Sequence, residues 1–150
     1  MKSKNNLLKV LIALVFLVLI TGVLISKSNS VFSRVQNNYS GQWEWIKNDD
    51  TSTFNLELNE LNTFVTGTHC ISALNGNKSD CVGIIDEDEI SIKGSITNNV
   101  LKVTFKGSFA DGEGQAEIRF ISADKIEWKV TKKIAGENYF PQQATLVKRP

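Results

Sequence analysis

From Gly41 onward, apolar and polar residues alternate one by one in short runs separated by turn formers. Phe54, Leu56 and Leu58 fall on one side of such a run, and Asn55, Glu57 and Asn59 on the other. Ile90 and Ile92 alternate with Ser91 and Lys93, and Gly94 carries that apolar side on to Ile96. Leu101, Val103 and Phe105 oppose Lys102, Thr104 and Lys106; Ala116, Ile118 and Phe120 oppose Glu117 and Arg119; Ile126, Trp128 and Val130 oppose Glu127 and Lys129. A period of two predicts strands with one buried face and one wet face. The breaks are hairpin turns: Thr97-Asn98-Asn99, Asp111-Gly112-Glu113-Gly114 and Ala123-Asp124. Pro141 cannot donate to a ladder and should open or edge the last strand. No window in this region has a helical period.

Eight or nine short strands at about ten-residue spacing predict an all-β domain, an antiparallel meander of about eight strands. Closing into a barrel removes the exposed sheet edges. A barrel of that size is filled by side chains or holds one small ligand. The large inward residues Phe54, Leu56, Leu58, Phe105, Phe120 and Trp128 favour filling, while Gly67 and Gly94 would restore some room.

The first thirty residues follow a different rule. Lys2, Lys4 and Lys9 precede an uncharged run from Val10 to Ile25, and Ser26, Ser28 and Ser30 follow. A basic flank before an apolar run is an export signal, and it predicts a hydrophobic N-terminal helix. At sixteen residues the run is long for a signal core and short for a span. Two readings stay open. Either the segment is cleaved after Ser28 or Ser30, giving a periplasmic or secreted protein, or residues 7–26 remain as a single anchor. The lysines place the N-terminus inside and the rest outside the cytoplasm. No cysteine stands near the run to carry a lipid. The expected organisation is a signal or anchor over 1–30, a polar tether over 31–40 and one domain over 41–150.

Charge narrows the partners. The chain has a formal net charge of +1, with 17 basic and 16 acidic residues; without Lys2, Lys4, Lys9 and Lys27, 13 basic residues face 16 acidic ones, about −3. Without a basic stripe, nucleic-acid binding is disfavoured. Outside the cytoplasm the two cysteines, Cys70 and Cys81, read as a disulfide. A redox pair would want Cys-x-x-Cys at a helix start.

Gly41-Gln42-Trp43 at the entry of the first strand resembles the calycin group: lipocalins, fatty-acid-binding proteins, avidins and the small periplasmic inhibitors of secreted metalloproteases. The stretch GQWEW…STFNLELNELNTFVTGT is similar in rhythm to the first hairpin of avidin-like proteins. Ser-Gly-Gln-Trp and the closing ATLVKRP resemble the two ends of the metalloprotease inhibitors, which are also small and exported and carry one disulfide. The resemblance covers about the first thirty residues of the domain and its end. It implies a small barrel that binds a ligand or a protein. The biotin-contacting pattern of avidins does not carry over, and the later lipocalin motifs are missing. The chain also resembles uncharacterised exported bacterial proteins with a Cys…Asn-Gly-Asn-Lys…Asp-Cys loop, a likeness that implies no function.

Candidate sites follow. Trp43 and Trp45 share a strand face and would either stack on a flat ligand at the barrel mouth or plug its base. The loop Ser72–Asp80, pinned by Cys70 and Cys81, presents Leu74, Asn75, Asn77 and Lys78 at low ordering cost, or is a long hairpin that needed a staple. His69 is the only histidine, which argues against a metal site, and no Ser-His-Asp order is evident. Asp86-Glu87-Asp88-Glu89 lacks the glycine-centred spacing of a calcium loop and reads as a solvated turn. Asn38-Tyr-Ser40 and Asn77-Lys-Ser79 match glycan acceptors, a triplet common by chance. The expectation is an exported or membrane-tethered, non-enzymatic module without metal or cofactor. It would bind a small apolar or amphipathic molecule, or alternatively inhibit an extracytoplasmic hydrolase of the protease or lysozyme class.

Overall fold

The computed structural model describes residues 37–46, 51–82 and 89–150. The expected N-terminal helix, and with it the choice between signal and anchor, lies outside those residues, as do Asp86, Glu87 and Asp88. Among the described residues there is no helix, and so none long and apolar enough to cross a membrane. Nine strands are formed: β1 (Gly41–Trp45), β2 (Thr53–Leu61), β3 (Phe64–Ala73), β4 (Lys78–Cys81), β5 (Ile92–Thr97), β6 (Val100–Phe105), β7 (Gly114–Ser122), β8 (Lys125–Lys132) and β9 (Gln143–Lys148). All pairings are antiparallel, and the ladder runs β2-β1-β9-β8-β7-β6-β5-β3 before β3 pairs back onto β2. The meander is therefore a closed eight-stranded barrel with β4 as an extra strand.

β4 and β5 lie in one line along the same edge of β3. Cys81 to Lys78 face Cys70 to Ala73, and Ile92 to Ser95 face Gly67 to Phe64. Val82 N donates to His69 O at 3.0 Å, and the ladder resumes where Ser91 N donates to Gly67 O at 3.1 Å. One wall position is thus built from two chain segments.

The alternating apolar residues face inward as their spacing demands. Phe54, Leu56, Leu58, Leu101, Val103, Phe105, Ala116, Ile118, Ile126 and Trp128 are all buried. Ile90 departs from its expected place: it lies outside β5 and is exposed, while Ser91 and Ile92 are both buried. Period two fails there because the Ser91 hydroxyl turns inward to the His69 ring. Gly67 and Gly94 do not open space. A Cβ at either would stand 2.2 or 2.1 Å from a backbone oxygen of the neighbouring strand, Glu57 O or Lys102 O. They permit close approach of the neighbouring strand.

Aromatic rings seal both ends. At the base, where the chain enters, Tyr39 packs at a tilt against Phe120 at 4.4 Å, and Phe120 meets Trp43 edge-on at 6.0 Å. Tyr39 is buried and its hydroxyl donates to Ile118 O at 3.0 Å. The polar tether expected over 31–40 therefore ends before Tyr39, a core residue on a segment with no period to reveal it. At the other end Phe140 reaches in from the β8–β9 connection to Phe105 (4.5 Å), Phe54 (6.0 Å) and Trp128 (6.1 Å). The Trp128 indole N–H donates to Pro141 O at 2.9 Å, so the carbonyl of the proline before β9 satisfies the buried ring.

Trp128 touches both the ring cluster and a backbone acceptor. Trp128→Ala should cost about 3–5 kcal/mol, read from the shift of a urea unfolding midpoint at constant slope. A cost below about 1 kcal/mol would contradict this packing.

Candidate functional site

Four connections meet at the end sealed by Phe140, here termed the crown. The β3–β4 hairpin turns through Leu74, Asn75, Gly76 and Asn77. Leu74 (φ 54°), Asn75 (φ 57°) and Gly76 (φ 83°) are consecutive left-handed residues. Asparagine and glycine tolerate that region, but leucine does not favour it. Leu74 is also 61% exposed, so it carries a conformational cost without repaying it by burial.

Each neighbouring connection is tied in place. Asn75 N donates to Thr51 O at 2.9 Å, which fixes the hairpin to the β1–β2 connection. Lys78 Nζ lies 3.4 Å from Glu137 Oε1, and the Tyr139 hydroxyl donates to the same oxygen. Glu137 is held below the usual carboxylate range by its bonds to Tyr139 and Lys78. An Ala110↔Gly136 bridge joins the β6–β7 and β8–β9 connections, with Asp111 N donating to Ala135 O at 3.1 Å. Ile46 and Phe109 add exposed apolar surface at this end.

The predicted site residues divide between two places. Leu74, Asn75, Asn77 and Lys78 share the crown hairpin and are exposed. Trp43 is fully buried on the base side, with its indole N–H on Tyr39 O at 2.8 Å, and acts as a plug. Trp45 is partly buried against the core. Trp43 and the hairpin therefore lie at opposite ends of the barrel, while Trp45 ends β1 next to Ile46 on the crown side.

Cys70 and Cys81 are bonded, as their spacing implied, across the directly paired positions of β3 and β4. Such a bond is what an oxidising compartment permits. It pins a four-residue strand whose other edge has no ladder partner among the described residues.

The structure also assembles a group that sequence spacing did not reveal. His69, Asp80 and Ser91 are buried together. His69 Nδ1 lies 2.7 Å from Ser91 Oγ, and Nε2 lies 3.4 Å from Asp80 Oδ1, long for a hydrogen bond. The carboxylate facing Nε2 favours the proton there, so Nδ1 accepts from the serine hydroxyl. Ser108 N donates to Asp80 Oδ1 at 3.0 Å, and Phe140 lies 4.6 Å from the imidazole. The His69 and Asp80 side chains have no solvent exposure. In this geometry the trio ties β3, β4, the start of β5 and the β6–β7 connection. Burial pushes the His69 pKa below its usual 6.5, against the opposing pull of Asp80. Only a fold that aligns β4 with β5 brings residues 69, 80 and 91 together, so no local motif signals them.

The described residues form grooves on the outer wall. One of about 690 Å³ crosses β3, β5, β6 and β7, with Phe64, Lys93 and Lys102 on its lining. A second, of about 210 Å³, includes Asn55, Thr68 and Arg149. Among the described residues no cluster of metal-ligating side chains occurs.

No protein-family model, no curated protein and no solved structure matches this chain.

Replacing Cys70 and Cys81 together by serine should lower the melting temperature and leave the strand signal in circular dichroism unchanged. The chain-entropy cost is about 2.5–3 kcal/mol for a loop of this size. Thiols that titrate in the folded protein under non-reducing conditions would contradict the bond.

His69 gives a pH signature. The unfolded chain takes up a proton near pH 6.5, whereas the folded ring resists it until the pH is lower. Stability is therefore complete above about pH 6.5 and falls as pH drops through that value. Melting temperatures between pH 8 and pH 5 should show this fall, and His69→Gln should flatten the slope whatever its overall stability.

Proposed function

We propose that this domain is an exported, non-enzymatic protein-binding module that presents the crown hairpin to its partner. The reading deepens the calycin-like resemblance toward its inhibitor members, with an extracytoplasmic hydrolase as the partner class. One observation carries it: Leu74 is held both exposed and left-handed at the tip of a disulfide-braced hairpin. Strain retained at an exposed position, where glycine would relieve it, points to selection for what the side chain touches. The ties around the hairpin support the same reading, since a surface ordered beforehand loses little freedom on binding. Leu74, Ile46 and Phe109 supply apolar anchors, and Asn75, Asn77 and Lys78 a polar rim.

A small amphipathic ligand is the second reading, and the outer groove favours it. Rings close both ends of the barrel, so the ligand's place would be that groove, with Phe64 beside the cations Lys93 and Lys102.

Replacing Leu74–Lys78 with an equal Gly/Ser segment, both cysteines kept, separates the two readings. Melting should move little, since surface changes of this kind cost no more than about 0.5 kcal/mol. Yield of a partner captured from an extracytoplasmic extract should collapse. Leu74→Gly alone should hold or raise the melting temperature while lowering capture. Capture that survives both changes removes the hairpin and leaves the groove.

A further inference from the structure

The end opposite the crown carries its own unpartnered apolar surface. Leu61 and Phe64 are cross-strand partners beside the Asn62-Thr63 turn, 72% and 67% exposed. Across the ring, Ile121 at the β7–β8 hairpin is 58% exposed. Neither hairpin needs these residues for packing. Exposed leucine and phenylalanine at a hairpin tip cost solubility unless something covers them.

The chain enters the barrel at this same tip. Tyr39 N donates to Glu60 Oε2 at 2.7 Å, and Glu60 N donates to Ser40 Oγ at 2.8 Å, next to Leu61. Eleven residues, Ser26 to Gln36, separate the end of the apolar run from Asn37. Even fully extended, that length spans no more than about 40 Å. A nine-residue strand such as β2 is about 30 Å long. When the run is held in a bilayer, the Leu61–Phe64 tip is therefore confined to within about 40 Å of the lipid.

We propose that the base of the barrel docks on the bilayer that holds the N-terminal run, with Leu61 and Phe64 entering the headgroup region and Ile121 as a second apolar foot. The crown then faces away from the membrane. The proposal rests on the retained form of the run and is independent of what the crown captures. Tethering makes docking intramolecular, so two or three side chains suffice where a free domain would bind weakly. Phenylalanine suits the interfacial zone, and Lys102, two strands away in the ladder row of Phe64 through Ser95 and 3.9 Å from Glu117, adds an exposed cation on that wall for anionic headgroups.

The test uses the full chain in vesicles of phosphatidylethanolamine and phosphatidylglycerol, with and without brominated acyl chains. Phe64→Trp and Leu74→Trp place reporters at the two ends, read against the unsubstituted chain with its three tryptophans. Flotation with the vesicles and at least twofold quenching of the Phe64→Trp reporter, with the Leu74→Trp reporter unquenched, are expected. Adding Leu61→Ser and Ile121→Ser should abolish that quenching while flotation persists. Three results overturn the proposal: a chain that does not float, equal quenching at both ends, or a Phe64→Trp emission that shifts with protein density and not with brominated lipid. The first removes the anchor, the second the orientation, and the third substitutes a second copy of the chain for the bilayer.

Discussion

Ring closure through β1 is the constraint on which the remaining structure depends. Five residues, Gly41–Trp45, must satisfy β2 on one side and β9 on the other. Without them the barrel would present two open edges, each a template for pairing with another chain. Trp43 anchors the closing strand because its ring is buried while its position pairs with Leu56 and Lys148. Gly41 makes the entry possible. Its φ of 125° lies where side chains are disfavoured, and a Cβ there would stand 2.8 Å from Lys148 Cε. The Gly-x-Trp spacing thus has a physical content: a residue that bends the chain into the wall, then a ring that locks it two positions later.

Closure makes the two ends unequal. The base is sealed by residues from the segment that enters the ring, and the crown by Phe140 from a long connection. The base connections are short, and Asn98 and Asn99 hold the β5–β6 turn with positive φ at both positions. The crown connections are longer and are tied to one another, not to a ladder. Variation in the crown loops therefore leaves the barrel intact, a separation that suits a binding surface.

Much of this was legible in the alternation. The inward faces of β2, β6, β7 and β8 follow from Phe54 to Leu58, Leu101 to Phe105, Ala116 to Ile118 and Ile126 to Trp128, because a residue period of two fixes the face once one member is assigned. The cystine followed from its spacing and the expected compartment. Two things escaped. Tyr39 lies on a segment without period, and its burial depends on Phe120 and Ile118, which only closure brings near. The Ser91 inversion depends on a histidine 22 residues earlier. Of the candidate site residues, the hairpin set could be grouped from the sequence because four positions contiguous or nearly so share one turn. Ile46 and Phe109 were not, since they come to the crown from separate connections.

The His69 trio shows how the crown is coupled to the core. Between β4 and β6 no ladder exists among the described residues, and Asp80 reaches Ser108 by a side-chain bond instead. Apolar residues of similar volume would pack there with less desolvation, and buried charge seldom adds stability by itself. What the polar arrangement supplies is direction. Asp80 accepts from one particular N–H, and that donor precedes Phe109 at the crown surface. The next residue after Asp80 is Cys81, whose bond to Cys70 fixes the hairpin bearing Leu74. An apolar contact would let the β6–β7 connection slide over the split wall. A directed bond sets the connection carrying Phe109 and the strand carrying the hairpin from the same residue, so two exposed apolar side chains from separate connections inherit one buried reference point.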